Sequence, residues 1–374
     1  MSKLSNKLVI AGAGTGKTHF IIEKALETEE KTLITTYTEQ NALEIRKSII
    51  RKLGYIPKNL VVQTWFSFLL QHGVRPYQSC VFKALHNVSI GLFFTNGISS
   101  LYVSRSNPKY YFHENISSNK NIRLYSDKIS DFVVVCNSNS ENQIIKRLSK
   151  VYRNIFVDEV QDLVGYDLEI IKLLFESEIN ITLVGDPRQV VYSTHSPRKY
   201  PRYQNGKIKD FLQNEIKSCN YVIDEQSLLF SHRCHDLICQ FSNLLYPDYF
   251  NINGRNYKGV EYTGIYLVRK KHVDKYLKRF DSIQLIFDKR TPINKNFKFM
   301  TFGNSKGLTF DRVLIYPTQP ILKWLEESSF QFNDLSRSKL YVAITRAKYS
   351  VTFVIPDEIP EKIAMKIKNI YNIL

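Results

Sequence analysis

Short apolar blocks, each closed by glycine or by charged residues and followed by a mixed apolar and polar stretch, recur along this chain. Residues 8–10, 31–37, 60–64, 154–157 and 181–185 are short segments rich in apolar and β-branched residues and read as strands of a sheet covered on both faces. Between them the spacing becomes helical: Thr18 to Ile22 opens one helix, and Thr38 stands as the N-cap of another that runs on from Glu39. Strand and helix alternating this way predict a parallel α/β sheet covered on both faces. A second set follows. An apolar helix carries Leu237, Ile238, Phe241, Leu244 and Leu245, strands are expected at 282–287, 296–302 and 311–316, and a helix over 339–348 feeds a strand at 350–355. From about 71 to 150 the pattern fades into short aromatic segments and turns such as Ser117-Ser118-Asn119-Lys120, which reads as an insertion emerging from the first sheet.

The chain has 374 residues, room for two domains of ordinary size. A hydrophobic content of 43% and a mean hydropathy of −0.25 describe a globular protein. No apolar run approaches the roughly 20 residues of a membrane span, and no secretion signal precedes the first strand, so a cytoplasmic location without a membrane partner is expected. Five cysteines without a C-x-x-C pair fit reduced thiols. The spacing of His232, Cys234, His235 and Cys239 suits tetrahedral metal capture poorly. Charge changes the picture more: a formal net charge of +17 points to a polyanionic partner. With 23 Tyr and 23 Phe, the chain also has rings to spare for stacking against single-stranded bases.

Chemistry concentrates where apolar blocks end. After Leu8-Val9-Ile10-Ala11 the chain runs Gly12-Ala13-Gly14-Thr15-Gly16-Lys17-Thr18-His19, a phosphate-binding loop between a strand and a helix. Glycines let backbone N–H groups converge on the α- and β-phosphates, Lys17 reaches the β- and γ-phosphates, and the Thr18 hydroxyl ligands Mg²⁺. Ala11 takes the position usually held by the first glycine. The strand at 154–157 delivers Asp158 and Glu159, which are expected to hold Mg²⁺ and to orient and deprotonate the attacking water. The strand at 181–185 delivers Asp186 to Gln189, and a strand-end glutamine such as Gln189 can report on the γ-phosphate.

In this order the blocks resemble superfamily 1 helicases of the UvrD/Rep/PcrA type. Gly12 to Thr18 resembles motif I, Thr36-Tyr37-Thr38 through Ala42 motif Ia, and Thr64-Trp65-Phe66-Ser67-Phe68 motif Ib. Asp158 to Asp162 resembles motif II, and Val184 to Tyr192 motif III. Ser231-His232-Arg233 stands at motif IV, Thr301 to Phe310 at motif V, and Tyr341 to Lys348 at motif VI. The resemblance implies two RecA-like domains with ATP in the cleft between them: 1–70 with 151–225, and 226–374, the segment 71–150 being an inserted 1B-like subdomain. It implies that Lys17, Asp158, Glu159 and Gln189 act with Arg233 and Arg346 as arginine fingers, that Gly307 lies at the nucleotide, and that Tyr37, Thr64, Trp65, Phe66, Tyr192 and Thr301 line a single-stranded DNA track. Short linkers resemble, more specifically, the UvrD-like subunit of the Gabija anti-phage system.

Departures from the family shape the functional expectation. Seven residues precede Leu8, too few for the family's adenine-reading glutamine motif, and His232 stands where the family has an adenine-stacking tyrosine. Ser193-Thr194-His195-Ser196-Pro197 replaces a segment whose aromatic pushes on bases, Gly303 a DNA-contacting histidine, and Thr309 a ribose-associated glutamate. The stretch from Arg233 to Thr301 is too short for the accessory 2B domain, expected to be missing or vestigial. The expectation is an ATP-dependent translocase or helicase on single-stranded or branched DNA, moving 3′ to 5′ by the resemblance, in DNA repair or phage defence. The alternative is a regulatory ATPase subunit that senses DNA and licenses a partner nuclease; RNA as substrate stays open.

Overall fold

The computed structural model describes residues 6–95, 97–117, 121–191, 199–327, 329–358 and 360–367. Two units divide it: Met1–Val9 with Lys17–Gly185 and Ser193–Asp224, and Ile10–Gly16 with Asp186–Tyr192 and Glu225–Leu374. The segment 71–150 groups with the first unit, and the glycine-rich turn groups with the second.

The first unit is laid on a parallel sheet. Its elements are β1 (Asn6–Ile10), α1 (Lys17–Leu26), β2 (Thr32–Thr36), α2 (Glu39–Leu53), β3 (Leu60–Thr64), α3 (Trp65–Phe68), β4 (Ser89–Phe93), β5 (Asn121–Tyr125), α4 (Ile129–Asn139), α5 (Gln143–Val151), β6 (Asn154–Val157), α6 (Tyr166–Phe175), β7 (Asn180–Gly185), α7 (Ile208–Glu215) and β8 (Tyr221–Asp224). Strand order is β3-β2-β6-β7-β1-β8, so β7 separates the strand that carries Asp158 from the strand that enters the phosphate loop. β2 pairs in parallel with β3 and β6, β6 with β7, and β1 with β8. All five residues of β2 are buried, as a strand covered on both faces requires, and β-branched Ile34 and threonines fill it beside Leu33. Thr38 caps α2 as its sequence predicts: the backbone is extended there and the side chain accepts a bond from Asn41 N at 3.1 Å. Gly54, at φ 82°, closes the same helix in the left-handed conformation.

Residues 71–150 hold β4, β5, α4 and most of α5, and between these elements aromatic packing takes the place of regular structure. β4 and β5 form a separate parallel pair. Beside them Phe132 stacks on Phe82 at 6.3 Å and packs against Tyr111 at 4.9 Å and Phe112 at 5.3 Å. Many of the chain's rings are therefore core.

The second unit carries β9 (Phe230–His235), α8 (Asp236–Asn243), β10 (Asn253–Arg255), β11 (Gly264–Arg269), α9 (Val273–Arg279), β12 (Ile283–Ile286), β13 (Phe299–Thr301), β14 (Phe310–Ile315), α10 (Gln319–Glu326), α11 (Asp334–Ile344), β15 (Ala347–Ile355) and α12 (Glu361–Lys366). Its five-stranded sheet runs β11-β15-β14-β12-β13, all parallel, and β9 pairs with β10. The core gathers Phe241, Trp324 and Phe353, with Phe241 and Trp324 ring centroids 5.1 Å apart. Among the described residues, the stretch between Arg233 and Thr301 is spent on this unit's own strands and helices.

Several boundaries differ from the sequence reading, two of them for a clear physical reason. The helix expected over 339–348 spans Asp334–Ile344, because the Thr345 hydroxyl folds back onto the carbonyls of Tyr341 (2.8 Å) and Val342 (3.2 Å) and ends it. Ala347 already pairs with Phe310 in the sheet. The strand expected over 296–302 shrinks to Phe299–Thr301, since the Asn294 carbonyl accepts from Phe297 N and Gln284 Nε2 and holds the preceding residues in a turn. Among the described residues, no helix is long and apolar enough to cross a membrane.

Candidate active site

In the first unit the residues expected to act on ATP sit at the carboxyl end of β6 and at the start of α1. Lys17 and Thr18 are the first residues of α1, whose first turn carries no acid, leaving the partial positive charge of the helix end for an anion. Asp158 follows β6 and is 4% exposed. Its Oδ2 stands 3.5 Å from Thr18 Oγ1, and its Oδ1 accepts from Glu159 N at 2.9 Å. A hydroxyl and a carboxylate are hard oxygen donors of the kind Mg²⁺ takes when phosphates and water complete its shell. The pair thus fits that ion, and among the described residues no three His, Cys, Asp or Glu side chains gather as a protein-only metal cage.

Glu159 has φ 55° and ψ 38°, the left-handed region that residues with a Cβ rarely enter. Its carboxylate accepts a bond from Gln161 Nε2, so the acid is aimed both by its backbone and by a neighbouring amide. The Gln161 side-chain carbonyl in turn packs over Gly185, where a Cβ would lie 2.4 Å from Oε1 and 2.9 Å from Val160 Cγ1. A side chain there would push Gln161 and Val160 aside, so glycine lets the end of β7 pack close against the acidic turn after β6.

The second unit holds the turn of the phosphate loop. Gly14 and Gly16 have φ of 74° and 89°. A Cβ on Gly14 would meet Ser231 Oγ at 2.6 Å, so the glycine permits both the turn and the close approach of β9. Ser231 donates to the Ala13 carbonyl at 3.0 Å, His232 N to the Gly14 carbonyl at 2.9 Å, and Thr15 Oγ1 to the Gly12 carbonyl at 3.0 Å.

Around this turn lies a buried polar cluster. Asp186 is wholly buried and accepts from Arg188 Nε at 2.8 Å, Gln189 Nε2 at 2.8 Å and the Tyr341 hydroxyl at 3.3 Å. Burial opposes the Arg188 charge, but Asp186 and Tyr341 outweigh it and its pKa lies above the ordinary value. The guanidinium faces the rings of Tyr249, Phe250 and Tyr341. Arg346, 1% exposed, donates from Nη2 to Gln189 Oε1 at 3.1 Å and from Nε to the Val342 carbonyl at 3.1 Å. Arg233 is half-buried and donates to the Thr345 carbonyl at 3.3 Å. Gly307 is exposed at φ 84°, one residue before the Leu308 carbonyl that accepts from Arg346 Nη1. His19 is exposed and faces Glu23 across one turn of α1 at 3.6 Å.

The residues expected along a nucleic-acid track separate into groups. Tyr37 and Phe66 pack at 5.6 Å, and Phe66 meets Phe94 edge-on at 5.9 Å. Phe94 is 71% exposed, and sequence reasoning missed it because it lies where periodicity is faint. Trp65 is a correction: it is 1% exposed, its Nε1 donates to Asp167 at 2.8 Å, and its ring belongs to the core rather than to a stacking surface. The Thr64 hydroxyl caps α3 by accepting from Ser67 N at 3.2 Å, and that of Thr301 accepts from Asn304 N at 3.3 Å. Tyr192 lies outside the described residues.

With this geometry in place, comparison with known proteins is informative. Residues 2–91 and 109–196 match the UvrD/REP helicase N-terminal domain. A probable DNA helicase of Mycoplasma pneumoniae is 25% identical, covering 91% of this chain and 79% of its own length. The ATP-dependent DNA helicase Rep of Buchnera aphidicola subsp. Schizaphis graminum is 25% identical over 67% of this chain, and the Gabija protein GajB of Bacillus cereus 28% over 62%. The chain spans 46% and 48% of the lengths of those two relatives.

Proposed function

Because residues 2–91 and 109–196 match the UvrD/REP helicase N-terminal domain, we propose that the chain is an ATP-driven translocase or helicase of that kind acting on single-stranded or branched DNA. The observation that carries this reading is the pairing of Thr18 with Asp158 beside Lys17 and Glu159, a hydrolytic set at the start of one helix and the end of one strand. Lys17 neutralises the β- and γ-phosphates, and Thr18 with Asp158 holds Mg²⁺, which supplies charge neutralisation at the phosphates. Glu159, aimed by Gln161, takes the proton of the attacking water. Gln189, Arg233 and Arg346 attend the γ-phosphate, as the family resemblance implies. Phosphoryl transfer leans on such positioning and charge rather than on covalent catalysis. Tyr37 and the exposed Phe94, both packed on the buried Phe66, offer rings to unstacked bases, and the net charge of +17 favours the phosphate backbone. Movement 3′ to 5′ and a cytoplasmic setting belong to the same reading.

Similarity to the GajB protein favours a second reading: a DNA-sensing ATPase subunit that licenses a partner nuclease in phage defence. Steady-state ATP hydrolysis by the purified chain, with and without single-stranded DNA, separates them. Lys17-dependent hydrolysis strongly stimulated by single strands supports the motor; Lys17-dependent ATP binding without stimulation supports the switch. Loss of both would overturn each.

A further inference from the structure

From the phosphate loop to Arg346 runs one continuous chain of hydrogen bonds, all within the second unit. Ala13 N donates to the Tyr341 hydroxyl at 3.3 Å, and that hydroxyl donates to Asp186 Oδ2 at 3.3 Å. Gln189 Nε2 donates to the same Oδ2 at 2.8 Å, and Gln189 Oε1 accepts from Arg346 Nη2 at 3.1 Å. Exposure of Ala13, Tyr341, Asp186, Gln189 and Arg346 runs from 0 to 4%, so water does not compete for these bonds.

Each link fixes the next. A hydroxyl has one proton; with that proton given to Asp186, the Tyr341 oxygen is left as an acceptor for Ala13 N–H. Burial raises the Tyr341 pKa, so the hydroxyl keeps its proton. Asp186 is an acceptor on both oxygens, clamped on the other side by the Arg188 backbone N–H at 3.2 Å and Nε at 2.8 Å. A glutamine amide has a donor end and an acceptor end of nearly the same shape. Committing its nitrogen to Asp186 turns its oxygen toward Arg346. The Ala13 peptide is also held on its other side, its carbonyl accepting from Ser231.

We propose that Tyr341 is a positioning residue that couples phosphate loading at the Ala13 peptide to the placement of Gln189 and Arg346, through Asp186. This rests on the ATP-hydrolysing reading above. Backbone N–H groups of such a loop answer to phosphate. A phosphate drawing on the Ala13 N–H loosens the bond that polarises the Tyr341 hydroxyl, and so changes how Tyr341 and Gln189 share Asp186 Oδ2, shifting the glutamine that Arg346 meets.

Tyr341→Phe is the test, because it removes one oxygen and keeps the ring against Arg188 and Tyr246. The expected result is a kcat for ATP hydrolysis lowered about tenfold with ATP affinity undiminished and the melting temperature within about 3 °C of the parent. In a Gln189→Ala background the same substitution should have no further effect on kcat, since the link it acts through is gone. In the nucleotide-free protein, amide exchange at Ala13 should quicken in Tyr341→Phe. An unchanged kcat, effects of the two substitutions that multiply, or unchanged Ala13 exchange would each overturn the coupling. If Tyr341→Phe unfolds, Asp186→Asn, which leaves the ring in place, is measured in the same cycle. Absence of Lys17-dependent hydrolysis in the parent chain would be distinct: it would remove the functional reading, and the coupling with it.

Discussion

Glu159 holds its left-handed backbone at a cost of about 1–2 kcal/mol, which the bond from its own N–H to Asp158 and the amide of Gln161 offset. Strain kept in place at the acid proposed to take the water's proton is what an aimed base requires. Glu159→Gln should therefore preserve ATP binding while slowing single-turnover hydrolysis by about 10² to 10⁴; undiminished hydrolysis would take the role away from Glu159. A second residue-scale consequence concerns acid stability. His72 is 4% exposed between Phe68 and Tyr152, and burial, with Arg147 nearby, lowers its pKa to about 4. The unfolded chain takes up this proton near pH 6.5 and the folded chain only near 4, so stability falls as pH drops through that window and levels off below it. Up to about 3 kcal/mol is at stake. His72→Phe should flatten this limb in urea midpoints measured from pH 7 to pH 4, and an unchanged slope would show that other groups set it. Residue by residue, Lys17, Thr18 and Asp158 were legible because their chemistry demands fixed types at fixed spacing. Tyr341 over Asp186 was not, because residues so far apart in sequence meet only through burial.

At the scale of elements, the readable parts were those with strong local signals. The Thr38 cap and the short strands rich in apolar and β-branched residues act within a few residues of chain. Thr38→Ala removes the bond to Asn41 N and should cost about 1 kcal/mol, read as a lower denaturation midpoint with an unchanged slope. Because α2 lies at the edge of the sheet and its outer face is exposed, no compensating contact is expected; a loss below about 0.3 kcal/mol would mean that the side chain does not cap in solution. Elements without a local signal escaped. β4 and β5 pair in parallel across a long connection, and the residues joining them are held by the Phe82, Tyr111, Phe112 and Phe132 rings rather than by periodicity. Trp65 was misplaced for a related reason: its motif neighbours suggest a surface, but Asp167 on α6, also bonded to Ser130, draws it inward. A buried carboxylate satisfied by two donors from distant elements is invisible to any window of sequence.

For the whole molecule the decisive quantity is charge. Fifty-two Lys and Arg against 35 Asp and Glu give a formal net charge of +17, and the many exposed ion pairs, such as Lys24 with Glu27 and Arg337 with Asp334, contribute little to stability individually. Basic excess that does not stabilise the fold is available to a polyanion. Binding of single-stranded DNA then releases counterions, with log K falling by about 0.7 per phosphate contact for each tenfold rise in salt. For roughly six contacts, raising monovalent salt from about 50 to 200 mM should weaken binding by about 10²-fold or more. Ring stacking on Tyr37 and Phe94 is much less sensitive to salt, so Phe94→Ala should lower affinity by a similar factor at both salt concentrations and leave the slope unchanged. Fluorescence anisotropy of a labelled oligonucleotide across a salt series, with parent and variant, measures both at once. A flat salt dependence would sever the excess charge from DNA binding; a Phe94 effect that disappears in low salt would relegate that ring to the protein's surface.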